Sequence, residues 1–132
     1  MKNQVLSIEQ MKHLQELGID TSKAKMAYYA IYETLPNWFN ELRIRDEVFD
    51  KNYPSIPTFT LQEMLEMISS CFTYEYEYKF ICYLGTWYSK CIQLIDDDDC
   101  FISLNTTPLT CAYETLCWLA ENNYIGGKNE SK

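Results

Sequence analysis

Four carboxylates in a row, Asp96, Asp97, Asp98 and Asp99, are the densest chemical feature of the sequence. Such a run suits a hard cation, which takes oxygen ligands. A calcium-binding loop of the helix–loop–helix type does not fit. Counted from Asp96, its fifth position is Cys100, its twelfth is Thr107, and the loop glycine is missing. Neighbouring side chains in an extended loop also point alternately apart, which defeats convergence on one ion. The run is expected to be an exposed hairpin loop without a tight metal, available for contact with a partner.

The other reactive residues are scattered. His13 is the only histidine, and it falls opposite the apolar stripe of its helix. A general base also needs a neighbour to orient it. Glu75 and Glu77 alternate outward on one strand candidate, as do Arg43 and Arg45 on another. Carboxylates with bases within reach across a sheet form surface ion pairs more readily than an acid–base catalytic pair. The six cysteines, Cys71, Cys82, Cys91, Cys100, Cys111 and Cys117, contain no CxxC pair and sit in apolar stretches. They read as small buried hydrophobes rather than zinc ligands. No glycine-rich phosphate loop, GxSxG or HExxH pattern is present.

Three helices must position whatever these residues do. Ser7 with Gln10 and Thr60 with Glu63 are capping boxes. Leu6 with Met11 and Phe59 with Met64 are the matching hydrophobic staples. The first helix buries Ile8, Met11, Leu14 and Leu17 and stops at Gly18; the second buries Leu61, Met64, Leu65, Ile68 and Phe72. The third starts at Thr107 with Pro108 in its first turn. Its stripe of Leu109, Ala112, Tyr113, Leu116, Leu119 and Ala120 spans about 280° through about 40° of the helical wheel. Trp118 and Cys111 fall outside it, at about 180° and about 200°. Either the helix is covered on two sides, or Trp118 is an exposed interface anchor beside Cys111.

Strand candidates lie between the helices, at 25–33, 38–46, 73–83, 86–95 and 100–105. The second places Trp38, Leu42 and Ile44 on one face, and Leu35–Pro36–Asn37 turns the first into it. The connections are too short for helical crossovers, so pairing is antiparallel. The fold class is α+β: one domain over 1–125, with an antiparallel sheet of about five strands and three helices in the order α-β-β-α-β-β-β-α. Residues 126–132 form a mobile polar tail. Eleven tyrosines, clustered at Tyr28, Tyr29, Tyr32, Tyr74, Tyr76 and Tyr78, suit either a wet core edge or a binding surface.

The helical segments SIEQMKHLQELGIDTSKA, PTFTLQEML and ETLCWLAENNYI resemble a group of uncharacterised short acidic proteins of gut anaerobic bacteria, often encoded among phage or mobile-element genes. The resemblance implies a small cytosolic α+β protein and brings no catalytic residues with it.

Charge narrows the function. Nineteen acids against 11 bases leave −8, concentrated in residues 51–132, where 11 acids and 5 bases leave −6. A chain without a basic stripe is a poor nucleic-acid ligand. No segment is long and apolar enough to span a bilayer, and the first residues lack a signal-peptide pattern. A cytosolic chain with free thiols is the expectation. No cofactor is implied. The leading reading is a non-enzymatic regulator or inhibitor that meets a protein partner, or a second copy of itself, through Trp118, Cys111 and Asp96–Asp99. The alternative is a small-molecule-binding domain with a tyrosine-lined pocket. An enzyme is the weakest reading, because no nucleophile–base pair assembles.

Overall fold

The computed structural model describes residues 5–30, 41–71, 76–93, 98–105 and 107–122. Its elements run α1 (Ile8–Glu16), β1 (Met26–Tyr29), β2 (Glu41–Ile44), α2 (Glu47–Asn52), β3 (Ser55–Thr58), α3 (Leu61–Ser70), β4 (Tyr76–Tyr83), β5 (Thr86–Gln93), β6 (Asp98–Asn105) and α4 (Pro108–Glu121). Each helix begins where a side chain satisfies an amide that has no partner within the helix. Ser7 Oγ accepts from the Gln10 amide at 3.1 Å, and Gln10 Oε1 accepts from the Ser7 amide at 2.9 Å. Thr60 and Glu63 repeat the exchange at 3.2 and 2.9 Å. Thr107 caps α4 through the Thr110 amide at 3.3 Å. Gly18, at φ 96°, takes the left-handed conformation just past the end of α1.

The strands form two antiparallel three-stranded sheets, ordered β2-β1-β3 and β4-β5-β6. This corrects the expectation of one sheet of about five strands and three helices. The α+β class and antiparallel pairing hold. The additional strand, β3, lies in the extended approach to α3 and pairs Ser55–Thr58 with β1. The additional helix, α2, is a short segment with no buried side chain, capped by Asp46, whose carboxylate accepts from the Val48 amide at 2.7 Å.

The main core gathers Leu6, Met11, Leu14, Ile19, Phe59, Met64, Ile68, Leu116 and Leu119 from α1, α3, α4 and their flanking segments. A smaller cluster joins Val5, Met26 and Tyr28, with Ile8 and Leu42 against it. Ile44, expected to share the apolar face with Leu42, is exposed. The ladder expected between Glu75–Glu77 and Arg43–Arg45 is not built: β2 and β4 belong to different sheets. Arg43 instead lies 3.5 Å from Glu41, and Arg45 lies 3.1 Å from Asp50. Glu75, Phe72, Tyr74, the turn at Leu35–Pro36–Asn37, Trp38 and the tail over 126–132 lie outside the described residues.

Candidate functional site

Helix α4 is covered on two sides, and that is where Trp118 and Cys111 belong. One side packs into the main core through Ala112, Leu116 and Leu119. The other rests on the second sheet. Cys111 is fully buried there, with its thiol 3.4 Å from the Ser103 carbonyl. Buried Cys111 is therefore out of reach of a partner, which corrects its reading as a contact residue. Trp118 is half-buried and packs against the main core cluster.

The same interface holds a chain of hydroxyls. Tyr78 Oη and Ser89 Oγ are 2.6 Å apart, Ser89 Oγ meets Thr115 Oγ1, and Thr115 donates to the Cys111 carbonyl at 3.0 Å. Ser103 donates to Glu114 alongside. Such a constellation resembles a relay, but its chemistry points the other way. Burial pushes up the Tyr78 phenol and the Cys111 and Cys117 thiols, which keeps each group protonated. A nucleophile needs the opposite shift or an adjacent base. His13, the only histidine, is exposed on α1 and sits 3.8 Å from Glu16. Among the described residues, no buried side-chain nitrogen or oxygen lacks a partner. The network fixes the seating of α4 on the sheet.

The other candidates also disperse. Asp98 and Asp99 open β6, paired with Gln93 and Ile92, so half of the acidic run is strand rather than loop. Asp96 and Asp97 lie outside the described residues. Among the described residues, no three His, Cys, Asp or Glu side chains gather as a metal site, and no helix is long and apolar enough to cross a membrane. Among the described residues, Cys71, Cys82, Cys91, Cys111 and Cys117 form no disulfide. The tyrosine tips are engaged within the fold: Tyr28 donates to the Leu6 carbonyl at 2.9 Å, and Tyr29 donates to Asp50. A groove of about 400 Å³ beside α3 is lined by Asp20, Lys23, Lys25, Glu63, Glu66 and neighbours, without a tyrosine, and another of about 630 Å³ is lined by Val5, Ser7, Gln10, Tyr28, Thr107 and Leu109.

What remains is the outer face of the second sheet. Register aligns Ile81, Tyr88 and Leu104 in one row across β4, β5 and β6. Ser89 is buried under α4, so this row points away from the helix. Ile81 is 53%, Tyr83 63% and Leu104 56% exposed. Lys79 and Lys90 stand directly opposite each other in the next row, and Glu77 follows on the same face in the row beyond. The β4–β5 hairpin closes at Leu84 and Gly85, with φ 51° and 79°. Positive φ at both central residues is the tight type I′ turn, whose first position favours Asn, Asp or Gly. Leu84 is 86% exposed there. Helical-wheel reasoning missed this patch because its residues belong to three strands. The available signal was the apolar residue directly before Gly85, where a turn-forming residue belongs.

No protein family, curated protein or solved structure matches the chain in comparisons with all three.

Proposed function

We propose that this chain is a non-enzymatic protein-interaction protein, a regulator or inhibitor, which offers the outer face of the second sheet and its hairpin tip to a partner. One observation carries the reading: Leu84 stands 86% exposed in a left-handed turn position. A leucine there costs about 1 kcal/mol of backbone strain and gains no burial within the chain. Insertion into an apolar pocket on another protein returns that cost as binding. Tyr83, Ile81 and Leu104 flank it as further apolar contacts. The contact surface is thus moved from the α4 face and the acidic run to the opposite side of the second sheet.

The test is positional. A photo-crosslinking residue at position 84 or 104, in the producing cell, is expected to give one discrete protein adduct. The same residue at position 9, on exposed α1, is expected to give none. Leu84→Asn keeps the turn and removes the apolar tip, so it should abolish the adduct formed from position 104. Equal adducts from positions 9 and 84, or an adduct from 104 indifferent to Leu84→Asn, would show that the tip is not the contact.

A further inference from the structure

We propose that the groove between the 20–25 loop and α3 binds a small zwitterion with an apolar side chain, a free α-amino acid or a dipeptide, with its carboxylate at Lys23 and Lys25 and its ammonium at Glu66. The inference goes beyond the hairpin-tip reading and is independent of it, since no residue of the groove belongs to the second sheet.

The loop lies in no helix or strand, yet it is pinned from several sides. Asp20 Oδ1 accepts from the Ser22 amide at 2.9 Å, and the Ala24 amide donates to the Thr21 carbonyl at 3.2 Å. From outside the loop, Gln15 Nε2 donates to Thr21 Oγ1 and Arg45 Nη1 donates to the Ser22 carbonyl, both at 2.9 Å. The Lys25 amide donates to Glu63 Oε2 at 2.9 Å, which ties the end of the loop to the first turn of α3. The groove so held has a volume of about 400 Å³, within the range of small-molecule sites, about 300–1,000 Å³. A site formed before its ligand arrives loses less entropy on binding.

Its floor is apolar and its walls are charged. Phe59, buried, and Met67, half-buried, supply the floor. Methionine adapts to the shape laid on it. Lys23 and Lys25 stand on the loop wall, Glu63 and Glu66 on the helix wall. The two glutamates differ in what they can still accept. Both Glu63 oxygens take backbone amides, those of Thr60 and Lys25. Glu66 Oε2 accepts from Gln62 Nε2 at 3.0 Å, and among the described residues its Oε1 has no partner. Neither lysine ammonium forms an ion pair among the described residues.

Charge then selects the ligand. A simple anion would meet the lysines and with them the carboxylates of Asp20, Glu63 and Glu66. A simple cation would meet Glu66 and face both lysines. A wholly apolar molecule would cover the floor and strip water from the charged walls without replacing it. A molecule with one ammonium and one carboxylate offers each wall the opposite charge, in charge-assisted hydrogen bonds, while its side chain covers Phe59 and Met67. An α-amino acid and a dipeptide share this chemistry. The dipeptide holds its two charges further apart, so the tighter binder of the two reports the span between the walls.

Titration followed by proton–nitrogen NMR, with leucine, methionine, phenylalanine and the dipeptide of each, reads both affinity and place. At least one should bind with a Kd of about 1 mM or below and shift the amides of Lys25, Glu66 and Met67. Acetylating the amine or amidating the carboxylate of that ligand should each weaken it at least about fivefold. Glu66→Gln keeps an oxygen for Gln62 and removes the charge, so against it the acetylated and free ligands should bind alike. Lys23→Gln combined with Lys25→Gln should likewise erase the difference between amidated and free ligands. All three side chains are exposed, and the dispersion of the spectrum checks that each variant is folded. No binding from the panel at about 10 mM, shifts centred elsewhere, blocked ligands weakened by less than about fivefold, or charge preferences that survive the variants would each overturn the proposal. Leu84→Asn should leave the titration unchanged, so failure here and failure of the hairpin-tip reading are separate results.

Discussion

The two sheets use the same architecture for opposite ends. In the first, the central strand β1 is buried along its whole length, at Met26, Ala27, Tyr28 and Tyr29. Val5 and Ile8 pack with Met26 and Tyr28, and Phe49 of α2 lies against Tyr29 with ring centroids 5.6 Å apart. In the second, strands twice as long are covered by α4 on one face, and among the described residues no element packs on the other. The first sheet spends the apolar residues of its central strand on stability, while Ile44 on its edge strand β2 stays 72% exposed. The second leaves Ile81, Tyr83, Leu84 and Leu104 in water. On the proposed reading, that patch, isolated from the core and gathered by register, is the surface offered to a partner.

The strongest way to break this comparison is to truncate one residue in each sheet. Tyr29→Ala empties a fully buried site and removes the donor to Asp50; it should cost about 3–5 kcal/mol. Ile81→Ala should cost under about 1 kcal/mol, because little burial is lost. Urea unfolding measures both. Comparable losses at the two sites would mean that the second sheet's outer face contributes to stability as the first sheet does.

Next in size is the hydroxyl chain under α4. Ser89→Ala removes the hydroxyl that Tyr78 Oη meets at 2.6 Å and that Thr115 Oγ1 also meets. An expected loss of about 1–2 kcal/mol follows from removing two hydrogen bonds at this interface. Tyr78→Phe combined with Ser89→Ala removes both partners and should recover part of it. A double variant as unstable as the sum of the singles would show that the network does not act as a unit.

The contrast between the sheets was only half legible in the sequence, for a physical reason. Capping is local, so Ser7–Gln10, Thr60–Glu63 and Thr107–Pro108 announced three helices correctly. Strand alternation is local too, and it located β1, β2, β4, β5 and β6. Pairing is not local: nothing near Ser55–Thr58 says that it lies beside β1, so β3 was missed and two sheets read as one. The helical wheel posed the correct question at Trp118 and Cys111. Its answer, a second layer under α4, depended on where the β4–β6 sheet packs. The outer row Ile81–Tyr88–Leu104 was invisible for the same reason, since it exists only once three strands are in register.

The hairpin tip sharpens the comparison by separating stability from contact. Leu84→Asn places a residue suited to positive φ at the first turn position. It should raise stability by about 1 kcal/mol, a rise in Tm of roughly 3–6 °C. A neutral or destabilising result would mean that the leucine is held by the fold, and the case for it as a contact would lapse.

The smallest expected effect belongs to the first sheet and is read through pH. The hydrogen bond from Tyr29 holds the Asp50 carboxyl below its usual value of 3.8, and the Arg45 guanidinium adds to the shift. A group whose pKa is lowered by folding favours the folded state when ionised. Its contribution is complete above pH 3.8 and is lost as pH falls through the lower folded value. The site is partly open to solvent, so the contribution is screened and should stay under about 1 kcal/mol. Asp50→Asn keeps an oxygen for Tyr29 to donate to and removes only the charge. The stability difference between parent and variant should therefore be constant near neutral pH and shrink toward zero in acid. On the alkaline side the sign reverses for the second sheet. Burial raises the Cys111 thiol from 9.0 and the Tyr78 phenol from 10.0, so the stability held in their protonated forms fades as pH climbs past those values. A parent–variant gap at Asp50 that widens in acid would reverse the assigned sign, and Tyr29 would then be holding a protonated carboxyl.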